Sequence, residues 1–214
     1  MIHGLINILA VVIVLVTPKS SLQNTHTILS QEKYSLADRY QDASVNSVFS
    51  DNILLTLSYM GKKVKQGEPV SWEKVKAPSE YYIELLPNQT FAFHDQVLEK
   101  YQQGVAATTN AHFIASEGFK SDGWLVGDGV CHLASFMYAA AKEAGLLAEA
   151  PTNHDFATIA DVPKELGVAI YYSPVDKTTS TLQNLYITNT RNKTIRFVFI
   201  HQGDTLSIRI EEAA

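Results

Sequence analysis

The chain has 214 residues, 46% of them apolar and 18% charged, with a net charge of −5 and a pI near 5.8. This is ordinary globular composition, and a body of this size buries a core without disulfide or metal staples. It argues against nucleic acid as a partner, because such binders carry a basic patch or stripe, and no run of Lys and Arg long enough to grip phosphates occurs.

The N-terminus differs from the rest. Leu5 to Val16 reads LINILAVVIVLV, with only Asn7 polar. A spanning helix needs about 20 apolar residues and a signal-peptide core about 7–15. The stretch predicts a signal peptide or membrane anchor over residues 1–19. The protein would then be extracytoplasmic, secreted or held at the membrane through its N-terminus. Residues 20–33 are rich in Ser, Thr, Gln and Asn and read as a flexible linker. Residues 34–212 are expected to form a single domain. The only cysteine, Cys131, cannot form an internal disulfide. In an exported protein a lone thiol meets oxidant unless it is buried or used.

Ser35 to Tyr40 predicts one helical turn. Ser44 reads as an N-cap, because Val45, Val48, Phe49, Ile53, Leu57 and Met60 follow at spacings of three and four. Gly61 closes that helix. A charged connector with Pro69 and Pro78 leads to an element over Tyr81 to Leu86, a strand or a helix end. After the Pro87-Asn88 turn, Thr90 to His94 alternates as a strand, and Asp95 to Gln103 reads as a short helix. The glycine-spaced loop Gly118 to Gly129, GFKSDGWLVGDG, feeds a helix from Val130 to Ala144, closed by Gly145. Beyond Pro151, strands are predicted over 168–172, 184–188, 195–201 and 206–210. Gln202-Gly203-Asp204 joins the last two as a hairpin. The class is α+β, with helices packed on a small antiparallel sheet and a β-rich C-terminal half.

Cys131 falls in the first turn of the predicted helix. Unpaired N–H groups and the helix dipole there favour a thiolate. A nucleophile needs a base, and Asn153-His154-Asp155 follows on the approach to the sheet. Cys131, His154 and Asp155 are the candidate catalytic set. Trp124, Gly127, Gly129, Ser135 and Asn153 are the candidate ligand-binding set. The glycines would let a substrate or another backbone come close, and Trp124 would stack on a ligand or anchor the loop in the core. The residue pattern equally allows Cys131 as a small buried hydrophobe. His132 lies off the apolar stripe and is expected to face solvent. Cys131, His132 and His154, with His112 or Asp155, supply zinc-type ligands as a weaker alternative, but C-x-x-C, H-x-x-x-H and H-E-x-x-H spacings are missing, so neither a metal nor another cofactor is predicted.

Gly127-Asp128-Gly129-Val130-Cys131-His132-Leu133-Ala134-Ser135, with Tyr138 and Ala144-Gly145-Leu146, resembles the glycine-rich G-x-G-V-C opening and helix of VanW-like domains. The similarity continues at Asn153-His154, at Val162-Pro163-Lys164 and at Ala169-Ile170-Tyr171-Tyr172. Upstream it includes Leu86 to Phe93, so residues 80–212 are covered. Two positions depart from the pattern. His132 stands where the family has Gln, and Val168 where it has Asp, so that Asp155 or Asp161 would have to complete a Cys–His–Asp set. A fainter local likeness runs to transglutaminase-like cysteine folds. The VanW-like resemblance implies a cell-envelope role near peptidoglycan, of the kind played by accessory proteins of vancomycin resistance. The resemblance names no reaction; taken with the residue pattern at Cys131 and His154, it leaves two functions expected. One is Cys-dependent acyl transfer or hydrolysis on peptidoglycan peptides or envelope proteins. The other is a non-catalytic module binding cell-wall peptide or an envelope partner.

Overall fold

The computed structural model describes residues 26–214. The predicted signal or anchor, and the start of the predicted linker, lie outside the described residues. No helix among the described residues is long and apolar enough to cross a membrane.

The architecture is α+β, built on two four-stranded sheets. The first sheet has the order β1 (Thr27–Ser35), β8 (Thr205–Glu212), β7 (Ile195–Gln202) and β2 (Ser79–Leu85), all antiparallel. The predicted hairpin is present, with Gly203 at φ 58° in its turn. The second sheet has the order β4 (Val105–Ala107), β3 (Thr90–Ala92), β6 (Tyr186–Thr188) and β5 (Leu147–Glu149), with β3 and β4 parallel. The C-terminal strands thus divide between two sheets.

The second half of the stretch read as linker, residues 27–33, belongs to strand β1. It sits at a sheet edge, and its outward Gln31 and Lys33 give it a tether-like composition, while the half-buried Glu32 shares the inward side with Ser30 and Tyr34. Its inward residues bind the long helix α3 (Val130–Glu143). The Ser30 hydroxyl donates to the Ala140 carbonyl at 2.9 Å, and Tyr34 stacks on Phe136 with ring centroids 3.9 Å apart. The segment 168–172 is not a ladder strand. Its one bridge pairs Val168 with Asn153, and Ile170 bonds a side chain of α3 instead. Short helices α2 (Trp72–Lys76) and α4 (Lys177–Leu182) fall where no periodicity marked them.

Helix α1 (Ala43–Met60) begins at Asp42, not Ser44. The Asp42 carboxylate accepts from the N–H groups of Ser44 and Val45, which fills the N-cap role two residues earlier. Every residue from Asp51 to Met60 is buried, so this half of α1 is covered on all sides. Its hydroxyls survive burial by bonding back along the helix: Thr56 to the Asn52 carbonyl at 2.8 Å and Ser58 to that of Leu54 at 2.9 Å.

Helices α1 and α3 meet at Gly129, which caps α3 at φ 95°. A Cβ there would lie 2.5 Å from the Phe49 carbonyl oxygen and 2.8 Å from its Cα. Both the left-handed backbone and the contact require glycine. Gly129→Ala is therefore expected to destabilise the domain by about 2 kcal/mol or more. Urea denaturation of the variant checks this, and a change within error of zero would contradict the close approach.

Candidate functional site

The first turn of α3 forms one wall of a cleft of about 450 Å³. That volume falls in the range of sites that enclose a small ligand, about 300–1,000 Å³. The glycine-spaced loop forms a second wall. The stretch from His154 to Thr158, with Ile170 to Tyr172, forms the third.

The loop is held in shape by its own polar groups and by α1. Asn52, fully buried, donates to the carbonyls of Lys120 and Asp128, both at 2.9 Å, and accepts from the Lys120 N–H at 2.8 Å. Beside it the buried Asp51 pairs with Lys76 and Lys120. Within the loop, Asp128 Oδ2 accepts from the Asp122 N–H, and Asp122 Oδ1 from the Trp124 N–H. Ser121 and Val126 bridge across its neck. The loop packs through Phe119, which is buried, while Trp124 at its tip is 90% exposed and does not anchor it.

Phe113, on the cleft wall, has φ 62°. Left-handed backbone at a bulky residue costs on the order of 1–3 kcal/mol. Ring contacts with Phe93 and Phe119 hold it there. So does Gly127, where a Cβ would come 3.1 Å from the Phe113 carbonyl oxygen.

Cys131 does line the cleft, but its thiol is engaged. Sγ accepts from the Ile170 N–H at 3.4 Å and donates to the Ile170 carbonyl at 3.8 Å. Burial pushes the thiol up to about 11, the reverse of the shift expected from its place on the helix, and the Asp128 carboxylate adds to it. His154 lines the same cleft and is buried. Its Nδ1 lies 3.2 Å from the Ala157 carbonyl, so the neutral ring carries its proton on Nδ1 and leaves Nε2 as an acceptor. Neither Asn153 nor Asp155 orients it. Asn153 donates to the carbonyls of Lys164 and Gly167 and so holds its own turn, and Asp155 is exposed. Ser135 is fully buried away from the cleft, donating to the Cys131 carbonyl and accepting from the Val168 N–H. It ties α3 to the 168–172 segment.

His132 does not face solvent. It is 5% exposed, set edge-on to Phe49 at 5.0 Å and perpendicular to His154 at 6.4 Å. A helical wheel drawn for one apolar stripe misses the second face that α3 turns to α1. Burial, with Arg39 and His154 nearby, pushes His132 down to about 3. Arg39, absent from the sequence reading, is buried against the Phe136 ring and donates to the Ala160 carbonyl and the Asp161 carboxylate. No group of three or more potential metal ligands occurs among the described residues.

The cleft mouth is apolar. Tyr40, Ile114, Leu125, Val126, Phe156 and Tyr171 all line it and are all exposed. Phe156 stands over the His154 ring at 4.0 Å. Of the predicted site residues, the cleft brings together Cys131, His154, Gly127 and Gly129. It leaves out Ser135, Asn153, Asp155 and Trp124, the last standing beside its mouth. No family model, curated protein or solved structure matches this chain.

Three buried imidazoles give the domain an acid sensitivity. Burial lowers His94 from the usual 6.5 to about 4, His132 to about 3, and His154 in the same direction. Below pH 6.5 the unfolded chain takes up protons that the folded chain refuses, so stability is lost as pH falls. Above that value these groups contribute no slope. The melting temperature is expected to hold near pH 7–8 and to drop steadily towards pH 4. His132→Phe, which keeps an aromatic ring edge-on to Phe49, should reduce the drop. A flat profile in the wild type would contradict neutral imidazoles in the cleft.

Proposed function

We propose that this chain is a membrane-tethered, extracytoplasmic binding module of VanW-like type, whose cleft at the start of α3 holds a component of the cell envelope without covalent chemistry. The tether and location follow from the apolar run Leu5 to Val16, and the kinship from the G-x-G-V-C segment at Gly127 to Cys131. The state of Cys131 carries the reading. A nucleophilic thiol needs a lowered pKa or an adjacent base. Here the sulfur is hydrogen-bonded to the Ile170 backbone, and burial holds the thiol protonated. With the group pushed up to about 11, the thiol is almost entirely protonated at neutral pH.

A second reading, Cys-dependent acyl transfer, draws on one observation: Cys131 and His154 line the same cleft. Cys131 Sγ would attack a carbonyl carbon while His154 Nε2 takes the thiol proton and later returns it to the leaving group. First-turn N–H groups of α3 would hold the oxyanion.

Alkylation kinetics separate the two. For the binding module, iodoacetamide labelling of Cys131 is expected to be at least about tenfold slower than for a free thiol at neutral pH. It should keep rising beyond pH 10, and Cys131→Ala should leave the envelope phenotype intact. Fast labelling that levels off below pH 8, with function lost in a normally folded Cys131→Ala, would establish the acyl-transfer reading instead.

A further inference from the structure

The cleft and its mouth have a chemical character that selects among envelope components. Single exposed apolar side chains are ordinary, whereas a contiguous set marks an interaction site. Around this mouth Leu125 is 67% exposed and Phe156 77%, with Val126 and Tyr171 beside them. Their exposure is built in, because Ser121, Asp122 and Asp128 brace the loop that presents Leu125 and Val126. Trp124 stands outermost on that loop, and an amphipathic ring of this kind suits the headgroup level of a bilayer.

The described lining of the cleft offers no free cation: its carboxylate, Asp128, is an acid, and His112 lies against the carboxylates of Asp95 and Glu117. Arg39 is neutralised by Asp161, and His132 and His154 stay uncharged at neutral pH. A wall peptide brings carboxylates that would find no counter-charge there, and desolvating them is costly. A hydrocarbon needs none. Reach is also satisfied. If Leu5 to Val16 lies in a membrane, about ten residues separate it from β1, enough to span roughly 35 Å when extended.

We infer that the cleft takes one acyl chain of a membrane phospholipid, admitted over a lip made of Trp124, Leu125, Val126 and Phe156. The inference rests on the reading of the cleft as a binding site and names its occupant. The lip lies at the bilayer surface, the chain leaves the hydrocarbon region through it, and the terminal methyl end runs inward towards Cys131 and Ile170.

The test uses the full chain reconstituted in phosphatidylcholine–phosphatidylglycerol vesicles that contain a phospholipid with a diazirine near the end of one acyl chain. After irradiation, adducts are mapped by peptide mass spectrometry. Adducts are expected in the cleft-lining segments 112–131 and 154–172. The double variant Leu125→Glu, Phe156→Glu should reduce them about tenfold, since it places charge on the lip. Both positions are exposed, and an unchanged melting temperature confirms the fold of the variant. Adducts confined to residues 1–25, or cleft adducts unaffected by the double variant, would overturn the inference. Protection of Cys131 from alkylation at alkaline pH gives the second measurement. If soluble muropeptide protects Cys131 and the phospholipid does not, the cleft remains a binding site and the acyl chain is not its occupant. If neither protects and no cleft adduct forms, both readings fail.

Discussion

The close approach of Gly129 to the backbone of Phe49 is the constraint on which the site depends. It fixes where α3 begins and how near it lies to α1. The next turn of α1 then does the remaining work. Asn52 clamps the two ends of the glycine-spaced loop through three hydrogen bonds, and Asp51 draws in Lys120. The Phe49 ring meets His132 on the first turn of α3. A buried amide left without partners would cost on the order of 1–3 kcal/mol for each unsatisfied group. The loop and the helix are thus mutually required: the loop satisfies Asn52, and Asn52 holds the loop open around the cleft.

That geometry decides the chemistry of the thiol. A helix N-terminus favours a negative charge by about 0.3–1 kcal/mol, which is less than one pKa unit. Burial of a titratable group can shift it by several units. Packing α3 between α1 and the 168–172 segment encloses Cys131, so desolvation wins, and the shift runs upward. The carboxylate of Asp128, three residues back, adds to the same direction. A cysteine at a helix start is activated only where solvent or a cation also reaches it.

The fold was legible in the sequence where one face of an element was buried and the other was not. Helix α3, strands β7 and β8, and the Gln202-Gly203-Asp204 hairpin follow from periodicity and turn residues, whereas β2 reads equally as a strand or a helix end. Features that depend on contacts distant along the chain were misread or missed. His132 looks exposed on a wheel with a single stripe, yet it is covered because α1 packs on a second face. Edge strand β1 hid behind its polar side chains. The 168–172 segment has the apolar content of a strand but bonds the side chains Cys131 and Ser135 in place of a ladder. The place of the site was legible through Gly127, Gly129 and Cys131. Its other walls were not, because Arg39, Asn52 and Phe113 act through contacts that are distant along the chain. The exposed Phe156 left one weak signal, a large aromatic beside a histidine in a polar stretch.

Position 168 bears on the same question from another side. Under the proposed VanW-like kinship an aspartate stands there, whereas here Val168 is fully buried and its N–H bonds Ser135 on α3. A carboxylate at this depth would need a cation or several donors to remain charged. The nearest part of α3 supplies a serine hydroxyl already shared with the Cys131 carbonyl. With valine, the contact between α3 and this segment is apolar, and no acid stands there to hold an imidazolium. His154 is left with the Ala157 carbonyl as its partner and stays neutral. The missing acid, the neutral imidazoles and the protonated thiol leave the cleft with Asp128 as its carboxylate and with no free cation among its described lining residues. An apolar mouth over an interior without a free cation matches the apolar occupant proposed for it.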